Sequence, residues 1–462
     1  MIKKDISYSL AHKHNSLREV MKKIGKSGEQ FALIVNEHNQ LLGMVTDGDI
    51  RRSIIQGIAV DDPIEKAMNL EPISININDD DEEVIKIIKR SNKKINYLPV
   101  VDENNVVKDI LLHDEILNIL KRSPQALFLK NHITPDSKKI LITGGAGYIG
   151  SNLVRELLSL GYHVKILDNL CFGRGHLNIF EQHPNFTLLH GDVSNARDVI
   201  KAIEDVYAVV HLAEIVGDPA CAINPKKTQQ INYISASLVA RICKYFQINR
   251  FIYTSSCSVY GAAEETLLNE ESSLNPVSLY ARMKIESEKS ILELKDNSFS
   301  PTIFRLATVF GDSPRMRFDL VTNLFTAKAI KEGKITIFGG DQWRPHVHVN
   351  DVAKAILLVL ESPLDKVSGE IFNLGSNKNN FTVNEIGNFV KQVIPSVEVV
   401  TEETDVDKRN YRVDFSKIKT TLGFDTEKSV AQGIIEIHNA FKEGKYENYQ
   451  DSIFSNVKTY QQ

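Results

Sequence analysis

Between Lys139 and Gly161 the chain reads KILITGGAGYIGSNLVRELLSLG, a run that leaves the backbone few choices. Five strand residues end at Thr143, glycines stand at 144, 147 and 150, and a helix follows with Ile149, Leu153, Leu157 and Leu160 on one stripe, stopped by Gly161. Gly144 permits a tight turn, Gly147 lets a pyrophosphate approach the helix amino terminus, and Gly150 lets the helix lie close to the sheet. A glycine triplet alone says little. Here it sits between the required strand and helix, and the next strand ends in Asp168, 24 residues after Gly144. A carboxylate at that place accepts hydrogen bonds from the adenosine ribose hydroxyls and repels a 2′-phosphate, which selects NAD over NADP.

Strands continue to alternate with helices beyond this turn: HVKILD from 163, FTLLHGDV from 186, AVVHLA from 208, FIYTSS from 251 and TIFRLATVFG from 302. That alternation predicts an α/β fold, a Rossmann-like doubly wound parallel sheet with helices on both faces. After about Gly311 the rhythm breaks, with strands near Thr336 and Ile371 and a capping-box pattern, TVNE, that opens a helix from Thr382 to about Val393. We assign 138–310 to the nucleotide-binding part and 311–462 to a smaller substrate lobe. The 123–137 stretch, within KRSPQALFLKNHITPDSK, has no sustained period and reads as a linker. Ahead of it the chain repeats itself: at an offset of 66, FALIVNEHNQLLGMVTDGDI from Phe31 aligns with YLPVVDENNVVKDILLHDEI from Tyr97. Each copy reads as a helix, a strand, a polar turn, a second strand and a helix. Units of about 60 residues bury too little alone, so an α+β pair over 1–122, divided near 64, is expected to pack face to face. The acidic run Asp79 to Glu83 opens a helix, where negative charge is favourable, and needs no bound cation.

Composition excludes several partner classes. With 55 Lys plus Arg against 59 Asp plus Glu the net charge is −4, too near neutral for affinity built on phosphate neutralisation, so neither nucleic acid nor a lipid surface is expected. No segment approaches the ~20 apolar residues of a membrane span, and MIKKDISYSLAHKHN lacks a signal-peptide core, so a cytoplasmic location is expected. Four widely spaced cysteines without a CxxC pair indicate neither a disulfide framework nor zinc.

YARMK places Tyr280 and Lys284 four apart on a helix that Asn275-Pro276 is expected to open, and TSSCSVYG ends a strand 24 residues earlier, counted from Ser256. With the Gly-x-x-Gly-x-x-Gly turn and the LDNL segment, this set resembles the extended short-chain dehydrogenase/reductase family, of nucleotide-sugar 4-epimerase type, over 138 to the carboxyl terminus. The resemblance implies Ser256, Tyr280 and Lys284 as catalytic residues. It implies a cofactor surface that includes Gly144, Gly147, Tyr148, Ile149, Gly150, Asp168, Asn169, Asp192, Val193, Leu212, Ala213 and Asn232, shared with Tyr280 and Lys284. A phenol near pKa ~10 is a poor base at neutral pH, so the ammonium and a positive nicotinamide ring are expected to lower it. Tyr280 would then take a sugar hydroxyl proton as hydride leaves to NAD, with Ser256 on the same oxygen.

Within that family, sugar 4,6-dehydratases carry Asp-Glu directly after the catalytic hydroxyl residue, where this chain has Cys257-Ser258. The 3,5-epimerases and epimerase-reductases keep a cysteine at the place of Ser258. By elimination, 4-epimerisation through a transient 4-keto sugar fits best; a 4-ketoreductase or dehydrogenase, and a non-catalytic NAD sensor, stay open. Cys221, in GDPAC, reads as a structural thiol, and Glu214 departs from the small residue usual after His-Leu-Ala. Arg344 matches the family arginine that pairs with a nucleotide diphosphate; Arg315, Arg317 and Arg409 are further substrate candidates. His346 and His348 share a strand face but lack a third ligand, so no metal is expected. The repeated unit resembles the CBS domain, two copies forming a pair. In the first, Thr46 and Asp49 would hold an AMP- or ATP-type nucleotide; in the second, Leu112 and Glu115 take their places, which closes that site. A homodimer or higher oligomer is a family expectation.

Overall fold

The computed structural model describes residues 6–27, 31–90, 97–112, 115–116, 119, 138–262, 267–403 and 410–461. The linker assigned to 123–137 and the candidate Arg409 lie outside the described residues.

In the amino-terminal pair, the first copy holds β1 (Leu10–His12), α1 (Leu17–Ser27), β2 (Phe31–Val35), β3 (Leu41–Thr46) and α2 (Asp47–Ile55). The second holds β4 (Ile75–Asn76), α3 (Asp81–Arg90), β5 (Tyr97–Val101) and β6 (Val107–Leu112). Each forms a three-stranded sheet, β1-β2-β3 and β4-β5-β6, with one parallel and one antiparallel pairing. The copies meet as the sequence requires. Phe31, Leu33, Val35 and Leu41 share one apolar cluster with Val101, Val107 and Ile110, and the Phe31 and Tyr97 rings stand 4.3 Å apart. Reciprocal backbone bonds seal the joint: the Leu41 amide donates to the Asn105 carbonyl and the Val107 amide to the Asn39 carbonyl, both at 2.9 Å. Asn39 and Asn105 both take positive φ, 57° and 60°, a conformation asparagine tolerates better than most residues.

The larger part is built on a seven-stranded parallel sheet: β7 (Lys139–Thr143), β8 (His163–Asp168), β9 (Phe186–His190), β10 (Ala208–His211), β11 (Arg250–Ser256), β12 (Ser300–Leu306) and β16 (Ile371–Leu374). Their order is β16-β12-β11-β10-β7-β8-β9, so strand order reverses between β7 and β10. In such a sheet the crevice beyond the carboxyl ends at the reversal is where ligands bind. Continuous apolar strands such as KILIT and AVVH suit a sheet covered on both faces. Among its helices, α4 (Tyr148–Ser159) follows the glycine turn, α5 (Ala236–Tyr245) precedes β11, and α6 (Leu279–Leu292) precedes β12.

The carboxyl-terminal lobe holds two small sheets: β13 (Thr308–Phe310) and β17 (Asn380–Thr382) flank β15 (Trp343–His348), and β14 (Lys334–Phe338) pairs with β18 (Glu398–Glu402). The expected capping box forms at Thr382 and Glu385 and opens α7 (Val383–Val393). A last short helix, α8 (Asn456–Gln461), returns to the mouth of the large sheet.

The CBS-like pair docks on the opposite, amino-terminal edge of that sheet. The buried Arg51 of α2 donates from Nε to the Phe246 carbonyl and from Nη1 to the Val206 carbonyl, both 3.0 Å, and pairs with Asp47 within its own helix. Val206 and Phe246 lie just ahead of β10 and β11.

Candidate active site

The glycine turn has the shape its sequence predicts. Gly144 takes φ +72°, and a Cβ there would fall 2.7 Å from the Ala213 amide nitrogen, across the gap between β7 and β10. At Gly150 a Cβ would meet the Gly144 carbonyl at 2.4 Å. The turn is therefore held tight against the strand on the other side of the reversal, and only glycine fits there. Asp168 closes the same end: its carboxylate accepts from the Ala146 amide at 2.9 Å and from the Leu170 amide at 2.8 Å. Burial raises its pKa, against the pull of those two amides.

These groups line one cavity of about 360 Å³. Of the expected cofactor residues, Gly144, Gly147, Tyr148, Ile149, Gly150, Asp168, Asn169, Asp192, Val193, Leu212 and Ala213 stand on its wall, and Ser256, Tyr280 and Lys284 join them. A dinucleotide therefore fits on this chain's own geometry: a glycine turn packed too tightly for any Cβ at 144 or 150, a carboxylate at the far end of the second strand, and the hydroxyl, phenol and ammonium groups across the reversal. Asn232 is a correction. It is fully buried behind the wall, where its amide accepts from the Ile215 amide at 2.9 Å and donates to the Ile215 carbonyl at 2.8 Å, so it braces the loop that lines the cleft without standing on it.

Helix α6 begins later than expected. Ser278 is its N-cap, accepting from the Ala281 amide at 3.2 Å and donating to Asp218 at 2.7 Å. Asn275 is instead held by the Val259 and Ala262 carbonyls. The row Tyr280, Lys284 and Glu288, spaced by four, faces the sheet, and all three are buried. Glu288 is held by Arg305 of β12 from Nη2 at 2.7 Å and from Nε at 3.1 and 3.2 Å, and it accepts the Ser255 hydroxyl. Arg305 also reaches the Tyr260 hydroxyl at 3.1 Å. This buried network fixes the strand end that carries Ser256, whose hydroxyl accepts from the Ser258 amide. Cys257 lies in the turn after β11 and donates to the Arg305 carbonyl, away from the cleft.

The ammonium that was expected to acidify the phenol has a counter-charge of its own. Lys284 stands 5.5 Å from the Tyr280 ring centre, yet its ammonium is paired with Glu214 and also donates to the Thr254 carbonyl. Both side chains of the ion pair are only 2% exposed. The Tyr253 hydroxyl donates to the other Glu214 oxygen at 2.7 Å. The Tyr280 pKa is therefore raised well above its ordinary value, first by burial and then by its neighbours Glu214, Cys221 and Asp218, with Arg317 pulling the other way. The neighbouring positive charge that was to acidify the phenol is already spoken for.

The arginines separate. Arg315 and Arg317 line the cleft; Arg344 does not. It lies 5.5 Å over the Tyr411 ring, which is itself on the wall, and donates to the Trp343 carbonyl. Arg317 pairs with Asp319 at 2.9 Å. Arg315 is buried against the Phe172 ring at 3.8 Å, bonds Asn456 of α8 at 2.9 Å, and its backbone amide donates to Ser151 of α4 at 3.2 Å. Its Nε has no hydrogen-bond partner, and burial with the adjacent Arg317 lowers its pKa to about 9. That placement puts Arg315 on the glycine-turn side of the cleft. Cys221 is fully buried and donates to the Ile215 carbonyl at 3.1 Å. His346 and His348 are buried as well, His348 against Glu436 at 2.8 Å. Among the described residues no three His, Cys, Asp or Glu side chains gather as metal ligands, and no helix is long and apolar enough to cross a membrane.

In the amino-terminal pair, Thr46 and Asp49 form a capping box on α2, with the Thr46 hydroxyl donating to Asp49 at 2.7 Å. Arg52 pairs with Asp49 and reaches Asp205 of the catalytic part at 3.0 Å. In the second copy the Leu112 amide still donates to Glu115 at 3.0 Å, but the hydroxyl is gone.

Sequence reasoning missed Tyr253, Glu288, Arg305, Phe172 and Tyr460. The spacing of Glu288 by four from Lys284 was the one signal available; nothing in the sequence brings α8 to this cleft.

Comparison with known proteins matches residues 140–375 to the NAD dependent epimerase/dehydratase family, and 10–56 and 61–122 to the CBS domain. A putative UDP-glucose 4-epimerase of Methanocaldococcus jannaschii is 30% identical over 311 residues, 66% of this chain and 98% of that protein. UDP-glucuronic acid decarboxylase 1 of Danio rerio is 27% identical over 69% of this chain and 75% of its own. The crystal structure of the UDP-glucose 4-epimerase of Thermotoga maritima with UDP-glucose superposes with a TM-score of 0.60 at 26% identity, covering 66% of this chain and 99% of that one.

Proposed function

The chain belongs to the NAD dependent epimerase/dehydratase family and carries an amino-terminal CBS pair, and from that premise we propose that it is a nucleotide-sugar 4-epimerase. The observation that carries this reading is the meeting of Ser256, Tyr280 and Lys284 with the glycine turn in one cleft, where the two positions after Ser256 hold no carboxylate. A dehydratase needs an acid there to remove water across neighbouring carbons.

When bound, NAD supplies a reversible hydride acceptor and, in its oxidised form, a positive charge. The protein's own groups handle the proton. Tyr280 takes the proton of the sugar 4-hydroxyl as the carbonyl forms and returns it after the keto sugar has presented its other face. Ser256 hydrogen-bonds that same oxygen and favours the oxyanion character that develops on it. Arg315 would bring a positive charge to the cleft wall, suited to a phosphate of the bound groups. The Asp168 carboxylate would accept hydrogen bonds from the adenosine ribose hydroxyls. Asp168→Ser should therefore weaken NAD by about ten- to a hundredfold, since a hydrogen bond to a charged group contributes roughly 1.5–3 kcal/mol, while NADP weakens less; titration of each cofactor against the variant reads this.

The reading is tested by incubating the full chain with UDP-, GDP-, CDP- and dTDP-sugars, UDP-glucuronic acid included, without added cofactor, and following the ring protons by NMR. An inverted C4 centre is expected. Release of CO₂, loss of water or net NADH would replace it with the decarboxylase, dehydratase or dehydrogenase reading.

For the CBS pair, we propose that Thr46 and Asp49 hold an adenine nucleotide and that Arg52, between Asp49 and Asp205, connects that site to the catalytic part, with a coupling of about 1–3 kcal/mol. AMP or ATP at a hundred times its dissociation constant should stabilise the chain by roughly 2.7 kcal/mol. Asp49→Ala should erase that shift at a capping cost of about 1 kcal/mol. A melting temperature indifferent to both nucleotides would leave the pair as an assembly platform.

A further inference from the structure

Glu214 follows His211-Leu212-Ala213 at the carboxyl end of β10 and, among the described residues, is the acidic side chain ion-paired with Lys284. Its carboxylate is 2% exposed, yet it lies on the cleft wall beside Tyr280, Thr254 and Ser256. Burying a carboxylate costs several kcal/mol unless it is paired and hydrogen-bonded; here one oxygen takes the Lys284 ammonium and the other the Tyr253 hydroxyl at 2.7 Å. Lys284 is thereby committed to Glu214 and the Thr254 carbonyl. A lysine so held adds no net positive charge for the phenol four residues before it.

We propose that Glu214 is a positioning residue for the Tyr280–Lys284 pair: by taking the ammonium for itself it makes formation of the Tyr280 phenolate depend on the positive charge that oxidised NAD brings into the cleft. This rests on the epimerase reading, in which Tyr280 is the base. The electrostatics of the surroundings agree. Facing Tyr280 are Glu214, Asp218 and Cys221 from the segment after β10, Tyr460 from α8 and Arg317 from the segment after β13; Arg317 favours its ionisation, and so does Lys284, 5.5 Å from the ring, whose charge Glu214 offsets. Arg317 is itself paired with Asp319. Facing Lys284 from β10 is His211, whose pKa is lowered to about 3 by burial and by Lys284, so it carries no charge at neutral pH. Facing Glu214 from β11 is Tyr253, a neutral donor. With no cofactor bound, the phenol keeps its proton; ionisation, with the proton passing to solvent, follows the arrival of a cation. An enzyme built this way holds an active base only when its oxidant is in place.

The test is a tyrosinate titration of the full chain by ultraviolet difference absorbance, with the Tyr280→Phe protein subtracted so that only Tyr280 is read. In the unsubstituted chain, first stripped of any nucleotide carried through purification, NAD should raise the phenolate fraction of Tyr280 at a given pH by about tenfold or more, a shift of at least one pH unit. Glu214→Gln should produce a rise of the same size without NAD and shrink the response to NAD, and Glu214→Asp should restore it. A Tyr280 titration unmoved by NAD in the unsubstituted chain overturns the proposal, and this arm needs no change at Glu214. So does a Glu214→Gln protein, folded by circular dichroism, whose titration matches that of the unsubstituted chain. If Tyr280→Phe retains sugar turnover, the epimerase reading fails instead, and the two failures are distinguished.

Discussion

Replacing Tyr280 by phenylalanine is expected to lower sugar turnover by about 10²–10⁴-fold, the usual contribution of a positioned acid–base group, while the chain keeps its fold and its cofactor. The phenol is 9% exposed and its ring packs with Ile215, Ala220 and Cys221, contacts that phenylalanine preserves. Only the hydroxyl facing the cleft is lost. The reading is therefore narrow: NMR should show no inverted sugar, NAD titration should show affinity within a few-fold of the unsubstituted chain, and the melting temperature should barely move. Turnover within tenfold of the parent would remove Tyr280 from the chemistry and return the chain to a sensor role.

Glu288→Ala is expected to be the most damaging single truncation for stability in the catalytic part, costing about 3–5 kcal/mol, because it leaves a buried guanidinium without its counter-ion. Arg305 and Glu288 are each about 4% exposed and meet through three hydrogen bonds of 2.7 to 3.2 Å. Arg305 would be left with the Tyr260 hydroxyl and the Glu270 carbonyl, neither of which carries a charge. The Ser255 hydroxyl loses its acceptor in the same change, so the segment that presents Ser256 should loosen. Chemical denaturation should show the loss directly, and turnover measured well below the melting temperature should fall as well. Replacing both partners by apolar residues of similar volume should recover much of the stability, since an absent charge needs no partner. A melting temperature unchanged by Glu288→Ala would mean that water reaches Arg305.

The parallel sheet was legible because its cues are local. KILIT followed by glycines at 144, 147 and 150 carries strand, turn and helix in one stretch, and the clash that a Cβ at Gly144 or Gly150 would make explains those glycines. The internal repeat was equally readable, since equivalent positions 66 apart play equivalent parts in the joint: Leu41 bonds Asn105 as Val107 bonds Asn39. Tyr280 and Lys284 share a helix face by spacing alone. The start of that helix was misplaced because Asn275-Pro276 is a helix-opening pattern, whereas tertiary bonds from Asn275 to β11's turn kept those residues extended and left the cap to Ser278.

Where charges end up could not be read along the chain. Glu214 and Lys284 are 70 residues apart, Glu288 and Arg305 sit on different elements, and Arg344 turns onto Tyr411 while Arg315 turns to the cleft. The amino-acid order by itself determined the nucleotide-binding turn, the repeated pair and the residue types available for proton transfer, because each depends on neighbours within a few positions. The folded chain alone decided which carboxylate takes the lysine, which arginines line the cleft, and that the CBS pair sits at the opposite edge of the sheet from the cleft. Electrostatic energies fall off with distance through space and rise with burial, and neither quantity exists until the strands are in order.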